Sequence, residues 1–345
     1  MYPKHNNMYQ LKNNFSLKEN NTFAIPAVAK YYLTLETPAD LYGFFQNNSS
    51  LRNEKRLFLG AGSNLLFVHD FDGLVIHPQI GGIRIVKEAQ NHVEVEVGAG
   101  VVWDHFVEWC VNKGFYGIEN LSLIPGNVGA VPVQNIGAYG AEASSVISRV
   151  KGIDLESNEN IDFLQKDCLF GYRTSLFKEK LKEQFLVTSV NFQLTRKPGF
   201  KIQYEGLEAK VSQFGEINLQ NIRRAIIAIR EIKLPNPAVF GNAGSFFKNP
   251  IVSALMAKSL QEIYPEIPTY PIGADLVKVA AGWLIDKAGW KGRIVGNAAI
   301  HENQALVIIN KGGATGEEIF NLSKLVAADV LQKFNIELER EVQVL

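Results

Sequence analysis

The chain has 345 residues, 46% of them hydrophobic, and its 35 basic and 35 acidic side chains cancel. That length exceeds the usual single core and implies two or three domains, while zero net charge gives no general field for a nucleic-acid backbone or an anionic membrane. Cys110 and Cys168 are the only cysteines and stand in no CxxC spacing, which points to a reducing cytosol without a disulfide framework or a structural zinc site.

The stretch 1–21 is polar and rich in Asn and Lys, with no apolar core of signal-peptide length. No later run approaches membrane-spanning length, so the expectation is a soluble cytoplasmic protein. His5, His69, His77, His92, His105 and His301 are scattered without i, i+4 pairing, and no metal site is expected.

Residues 56–60, 65–68 and 74–77 predict short strands separated by Gly-Ala-Gly-Ser-Asn and Asp-Phe-Asp-Gly. Val93, Val95 and Val97 alternate with Glu94 and Glu96, so 83–97 predicts a hairpin. Val102, Phe106, Trp109 and Cys110 then repeat at helical spacing, with Gly114 as the stop. The run 124–140 carries four glycines and two prolines. It is too punctuated for a long regular element and predicts a long ordered loop or several short turns, and its apolar Ile124, Val128, Val131, Val133 and Ile136 favour a loop packed against a ligand over a solvated linker.

Strands are expected over 146–155 and 185–194, followed by the turn Arg196-Lys-Pro-Gly199. A helix from Asn218 carries Ile222, Ile226 and Ile229 on one face and ends by Pro235; further helices are expected around 255–263 and 280–288. Thr315-Gly-Glu-Glu318 has capping-box spacing before a last helix reaching about Lys333. Ile336, Leu338, Val342 and Val344 alternate, which predicts a C-terminal strand. The layout is α+β.

Two small-residue motifs are candidates for chemistry. Gly60-Ala-Gly-Ser-Asn64 offers amide donors unobstructed by side chains, as an anion-binding concavity requires. It is followed by a strand-like run, which argues against a Rossmann dinucleotide site, and no GxxxxGK[ST] is present. Gly241-Asn-Ala-Gly-Ser245 strips the backbone on the approach to one hydroxyl before Phe246 and Phe247. By composition alone Ser245 is equally a turn residue, Arg173 a surface ion-pair partner, and Glu341 one of three acids with Glu337 and Glu339 on a solvated strand face.

In combination, Gly60-Ala-Gly-Ser-Asn-Leu-Leu66, the run 124–142, Gly171-Tyr-Arg-Thr-Ser-Leu-Phe-Lys178, residues 241–250, Ala280-Ala-Gly-Trp-Leu-Ile-Asp286 and Gln304-Ala-Leu-Val307 closely resemble the UDP-N-acetylenolpyruvoylglucosamine reductase family. The resemblance runs in unbroken order from about residue 17 to 345. Tyr204 in Ile-Gln-Tyr-Glu-Gly206 resembles the subclass with an extra tyrosine-bearing loop.

The resemblance implies an α+β fold of vanillyl-alcohol-oxidase type, with FAD-binding subdomains at 17–82 and 83–215, the latter joined by the C-terminal strand 335–345, and an α+β substrate domain at 216–334. It implies a peptidoglycan-precursor enzyme in which NADPH reduces non-covalently bound FAD. UDP-N-acetylglucosamine enolpyruvate then enters the same site and is reduced to UDP-N-acetylmuramate. A monomer with no nucleic-acid or membrane partner is expected.

By residue, Arg173 maps to the group that stabilises the substrate carboxylate as charge develops, a role suited to a guanidinium. Ser245 maps to the proton donor and Glu341 to the active-site glutamate. The flavin cofactor is expected on Gly60, Ala61, Gly62, Ser63, Asn64 and Leu65, and on Pro125, Gly126, Gly129, Asn135, Gly137, Ala138 and Tyr139. Tyr204, Lys233, Asn249, Tyr270 and Gln304 map to substrate contacts. Ala61 should keep negative φ, because a Cβ is strained at positive φ, and Glu341, close to the last residue, is expected on a segment open to fraying. The competing readings are a flavin oxidase of the same fold using oxygen, and a flavin- or UDP-sugar-binding regulator without catalysis.

Overall fold

The computed structural model describes residues 9–204 and 206–345. Positions 1–8 of the polar N-terminal stretch, His5 among them, and Glu205 beside Tyr204 lie outside the described residues. The chain divides into two units: Ala29–Ala61 and Phe71–Arg230 with the described part of Met1–Phe15, and Ser16–Val28, Gly62–Asp70 and Glu231–Leu345.

The first unit contains two sheets. In the smaller, the order is Gln10–Ser16, Val28–Leu35, Phe71–Pro78, Arg56–Phe58, and Phe71–Pro78 is parallel to both its neighbours. A strand covered on both faces reads as an apolar run without alternation, which is why Leu74, Val75 and Ile76 are all buried. The helix Pro38–Asn47 lays Leu41 and Phe44 on Leu33, Leu35, Leu74 and Ile76. Its start is built by Thr37-Pro-Ala-Asp40, the Asp40 carboxylate accepting from the Thr37 N–H at 2.8 Å, so a capping signal was present in the sequence.

The larger sheet is antiparallel, ordered Glu159–Leu164, Ile147–Asp154, Phe185–Thr195, His92–Gly98, Ile83–Glu88. Its expected hairpin 83–97 forms, with Val95 opposite Phe192 on the neighbouring central strand. The helix Trp103–Lys113 covers the apolar face, with Phe106 4.9 Å and Trp103 5.8 Å from Phe192 between ring centroids. Trp103 satisfies its one polar atom by donating Nε1–H to Leu121 O at 2.9 Å. Gly114, at φ +70, ends the helix in the left-handed conformation a glycine tolerates.

The helix Leu219–Lys233 is fixed by Arg223, whose two terminal nitrogens reach the two oxygens of Asp104 at 2.6 and 2.8 Å. Burial pushes the Asp104 carboxyl up, but the Arg223 fork and the Leu123 N–H outweigh it and hold the group below its ordinary value.

In the second unit the helix Gly316–Phe334 starts at the expected capping box, Thr315 Oγ1 accepting from Glu318 N and Glu318 Oε2 from Thr315 N. Two small antiparallel sheets, Ile251–Ser253/Leu276–Val279/Thr269–Ile272 and Ile294–Val295/Ala298–Ile300/Ile308–Asn310, were not foreseen, their strands being only two to four residues long.

The terminal strand expected over 336–344 is restricted to Gln343–Val344, which runs parallel to Leu65–Leu66. Ile336, Leu338 and Val342 are each buried. Their alternation therefore reports one face packed inward, not a continuous ladder to a partner strand.

Candidate functional site

In the first unit the stretch 124–140 takes the second of its two expected forms, several short turns, with a 3-10 turn Val128–Ala130 and a helical turn Val131–Gln134. Pro132 sits at the start of the helical turn, where its missing N–H costs nothing. Asn135 ends the turn at φ +44 and is 1% exposed. Its Nδ2 donates to Gly171 O at 3.0 Å and to Glu142 Oε2 at 3.2 Å, and its Oδ1 accepts from Ser144 N.

That contact joins the stretch to the motif carrying Arg173. In return Arg173 Nη2 donates to Gly137 O at 2.7 Å and Ser175 Oγ to Val133 O at 2.8 Å, while Lys178 Nζ holds Arg173 O at 2.9 Å. A Cβ at Gly137 would lie 3.0 Å from Ala141 O and 3.1 Å from Arg173 Nη1, so glycine admits the guanidinium to the backbone. Arg173 itself takes φ +56 and Tyr139 φ +48. For side chains of this size the left-handed region costs of order 1–3 kcal/mol each, and such strain concentrates at functional sites.

Tyr139 is a junction. Its ring meets Tyr204 edge-on at 5.3 Å and its hydroxyl pairs with Arg230, while burial pushes its ionisation up. Its backbone carbonyl accepts from Asn120 Nδ2 at 2.8 Å, and the same nitrogen donates to Lys201 O at 2.7 Å. Asn120 is 3% exposed and was not foreseen; standing between Glu119 and Ser122 it reads as an ordinary polar turn residue. Arg230 gave no signal beyond an ordinary helical position.

The Gly60–Asn64 motif leaves the strand Arg56–Phe58 and enters the strand Leu65–Leu66, as its sequence context implied. Ala61 keeps negative φ; the left-handed position is Gly62, φ +64, where a Cβ would lie 2.0 Å from Asn20 O. Gly129 admits no side chain either, a Cβ there meeting Ala99 Cβ at 2.8 Å. At Gly60 an added Cβ would find its nearest neighbours only at 3.8 Å, so the backbone there lies open; unobstructed peptide N–H groups suit a pyrophosphate, and the residues present fit FAD.

In the second unit Ser245 stands in an extended segment opposite Val307, and Phe246 N donates to Leu306 O at 2.8 Å. On the other side Glu341 N donates to Phe246 O at 2.9 Å, and Phe247 pairs with Arg340. Ser245 and Glu341 are thus carried by neighbouring segments of one ladder. Fully buried Phe246 and Phe247 anchor the first, while Gly244 at φ +69 and Asn242, whose Oδ1 accepts from Gly244 N at 3.0 Å, shape the approach.

The fraying expected at Glu341 does not occur. Asn64 Nδ2 donates to Glu341 O, Gln343 N to Asn64 O and Leu345 N to Leu66 O, and Val68 N donates to Leu345 O. Asn249 Oδ1 accepts from Ala281 N at 3.0 Å at the start of the helix Ala281–Lys287, and Gln304 Oε1 accepts from Leu306 N at 3.3 Å. Lys233, at the end of its helix, and Tyr270 are exposed. The first unit brings together Asn135, Gly137, Tyr139, Arg173 and Tyr204; the second brings together Asn64, Ser245 and Glu341.

Among the described residues no group of His, Cys, Asp or Glu is arranged to hold a metal ion, and no helix is long and apolar enough to cross a membrane.

Comparison with known proteins gives a consistent picture. Residues 236–345 match the profile of the UDP-N-acetylenolpyruvoylglucosamine reductase C-terminal domain, and residues 48–156 that of an FAD binding domain. The chain is 44% identical to the UDP-N-acetylenolpyruvoylglucosamine reductase of Bacteroides fragilis over 332 residues, covering 96% of this chain and 99% of that one. It is 44% identical to the Flavobacterium johnsoniae enzyme of the same name over 339 residues, covering 97% and 100%. The solved UDP-N-acetylenolpyruvylglucosamine reductase of Thermus caldophilus superposes with TM-score 0.69 at 22% identity, over 98% of this chain and 99% of that one.

Proposed function

Because the chain belongs to the UDP-N-acetylenolpyruvoylglucosamine reductase family, we propose that Arg173, Ser245 and Glu341 are its catalytic residues, that NADPH is its hydride donor, and that Tyr204, Lys233, Asn249, Tyr270 and Gln304 bind its substrate. The protein is an FAD-dependent oxidoreductase that reduces the enolpyruvyl ether of UDP-N-acetylglucosamine in peptidoglycan precursor synthesis. The same reading gives 17–82 and 83–215 to the flavin, with 335–345 joined to the latter, and 216–334 to the substrate, in a monomer working in the cytoplasm.

Bound FAD would supply the hydride-transfer chemistry between the nicotinamide and the methylene carbon of the enolpyruvyl group. Peptide groups of 60–64 would hold its pyrophosphate, and residues 125–139 would line it. Arg173 orients the substrate carboxylate and meets the negative charge spreading into it, where a fixed cation gains most. Ser245 gives its proton to the carbon next to that carboxylate; a hydroxyl is a weak acid, but the carbanionic centre is a strong base and the donor is held in place. Glu341 orients the Ser245 segment.

The observation that carries this reading is the bracing of Arg173. A long side chain is kept at positive φ while its guanidinium is fixed on a carbonyl of the stretch expected to line the flavin. The test is an anaerobic titration of the purified protein. Flavin bands that bleach on NADPH and return on adding UDP-N-acetylglucosamine enolpyruvate are the expected result; bands that bleach and stay bleached would overturn the substrate assignment.

A further inference from the structure

Asn120 sits where three segments of the first unit converge. It lies in the 3-10 turn Glu119–Leu121, fastened to the helix Trp103–Lys113 through Trp103 Nε1 and Leu121 O. From this fixed point its carboxamide nitrogen reaches both Tyr139 O at 2.8 Å and Lys201 O at 2.7 Å. Both hydrogens of one NH2 group are thereby used on two different segments, and at 3% exposure no water competes for them.

The segments are those that carry the two tyrosines in edge-on contact. Tyr139 belongs to the stretch expected to line the flavin, and Lys201 is three positions before Tyr204. Tyr139 also packs on the apolar cluster of Ile202, Leu207, Val211, Ile222 and Ile226, which anchors the chain on either side of Tyr204. Tyr204 itself is 44% exposed, and its edge-on contact with Tyr139 is one of those that fix where its ring points.

We propose that Asn120 is a positioning residue for substrate binding: it sets the distance between the flavin-lining stretch at Tyr139 and the segment that presents Tyr204. The proposal rests on the assignment of Tyr204 to the substrate. On this proposal Asn120 acts without touching substrate or cofactor, by holding two carbonyls that belong to different segments of the first unit.

The test is a double-mutant cycle on the FAD-loaded enzyme with Asn120→Asp and Tyr204→Ala. Aspartate keeps the shape of the side chain but puts an oxygen against two carbonyl oxygens. Asn120→Asp is expected to bleach with saturating NADPH at a rate within about twofold of the parent. It should raise KM for UDP-N-acetylglucosamine enolpyruvate about tenfold, the scale of one to two buried hydrogen bonds. In the Tyr204→Ala background the same change should raise KM by less than about twofold, because both side chains act through one contact.

An unchanged KM in Asn120→Asp, or an effect that adds in full to that of Tyr204→Ala, would overturn the proposal. If Tyr204→Ala alone leaves KM unchanged, it is the substrate role of Tyr204 that fails, and the proposal with it. Where Asn120→Asp does not accumulate as folded flavoprotein, Asn120→Ser takes its place in the cycle; failure of both to fold assigns Asn120 a purely structural role and overturns the proposal.

Discussion

Asn64 donates from Nδ2 to the backbone carbonyl of Glu341 at 3.1 Å, across 277 positions of sequence. The last residue of the small-residue motif expected to cradle a pyrophosphate is therefore also the clamp on the segment carrying the glutamate. Asn64→Ala should weaken that clamp by about 1 kcal/mol. The amides of Glu341 and Gln343 should then exchange their hydrogens about fivefold faster if they open locally. Exchange at the parent rate would show that the ladder to Phe246 alone fixes Glu341.

Ser245 is held between Val307 and the Glu341 segment by backbone pairing, so removing its oxygen leaves the ladder intact. Ser245→Ala should still bleach with NADPH, while reduction of the enolpyruvyl group falls by about 10²–10⁴-fold, the range for loss of a positioned proton donor. Stopped-flow measurement of the two half-reactions separates these outcomes, and parent-like turnover would remove Ser245 from the mechanism.

Arg173→Lys keeps the charge but cannot reproduce a guanidinium that donates to Gly137 O and, in the role proposed for it, to the substrate carboxylate as well. A fall in kcat/KM of about 10²-fold or more is expected, as for a lost charge-assisted hydrogen bond with its geometry. Steady-state kinetics check this, with FAD content measured alongside, because the Arg173 contacts also brace the stretch 135–137.

Much of this arrangement was legible in the residues. The Val93, Val95 and Val97 alternation produced its hairpin, Thr315–Glu318 its capped helix, and Ala61 its ordinary φ. Other parts were hidden for physical reasons. Ile336, Leu338 and Val342 alternate because one face is buried, and period alone does not reveal that the neighbouring ladder is interrupted. Arg173 at positive φ was invisible because arginine is a poor candidate for that conformation, and the bonds that brace it, from its Nη2 to Gly137 O and from Lys178 Nζ to its own carbonyl among them, come from positions distant or unmarked in sequence. Asn120 was passed over because a carboxamide in the polar turn Glu119–Leu121 is distinguished by its two distant partners, not by its neighbours in sequence.

Gly316 opens the last long helix directly under Phe67, and a Cβ there would lie 1.7 Å from Phe67 O. Backbone cannot swing aside as a flexible side chain can, so Gly316→Ala should cost about 3 kcal/mol or more. Urea unfolding reads the change directly; a loss near that of an ordinary surface substitution would mean that the helix start shifts to make room.

Tyr32 Oη pairs with His77 Nδ1 in the smaller sheet of the first unit. Burial lowers the His77 pKa below 6.5 and pushes the Tyr32 phenol up to about 12 from 10.0. A depressed histidine is neutral in the folded protein and takes up its proton more readily when unfolded. Its contribution is therefore present above pH 6.5 and lost as pH falls through the lower folded value. The raised phenol contributes below pH 10 and is lost as pH rises toward 12. His77→Gln should flatten the acid side of the stability profile between pH 7 and 5, measured by urea midpoints; an unaltered slope would place the acid sensitivity elsewhere.

The parallel pairing of Gln343 with Leu65 also constrains the order in which the molecule is made. A ribosome completes Phe71–Arg230, with every strand of the five-stranded sheet, long before residue 343 emerges, so the first unit can fold during synthesis. The early stretches Ser16–Val28 and Gly62–Asp70 belong to the second unit and have to wait for it. Closing loops of that length makes this the slow stage of folding. Throughout that interval the apolar side chains of Leu66 and Phe67 are without their final neighbours, which marks this short segment as the place where a newly made chain is most open to chaperone capture or to mispairing.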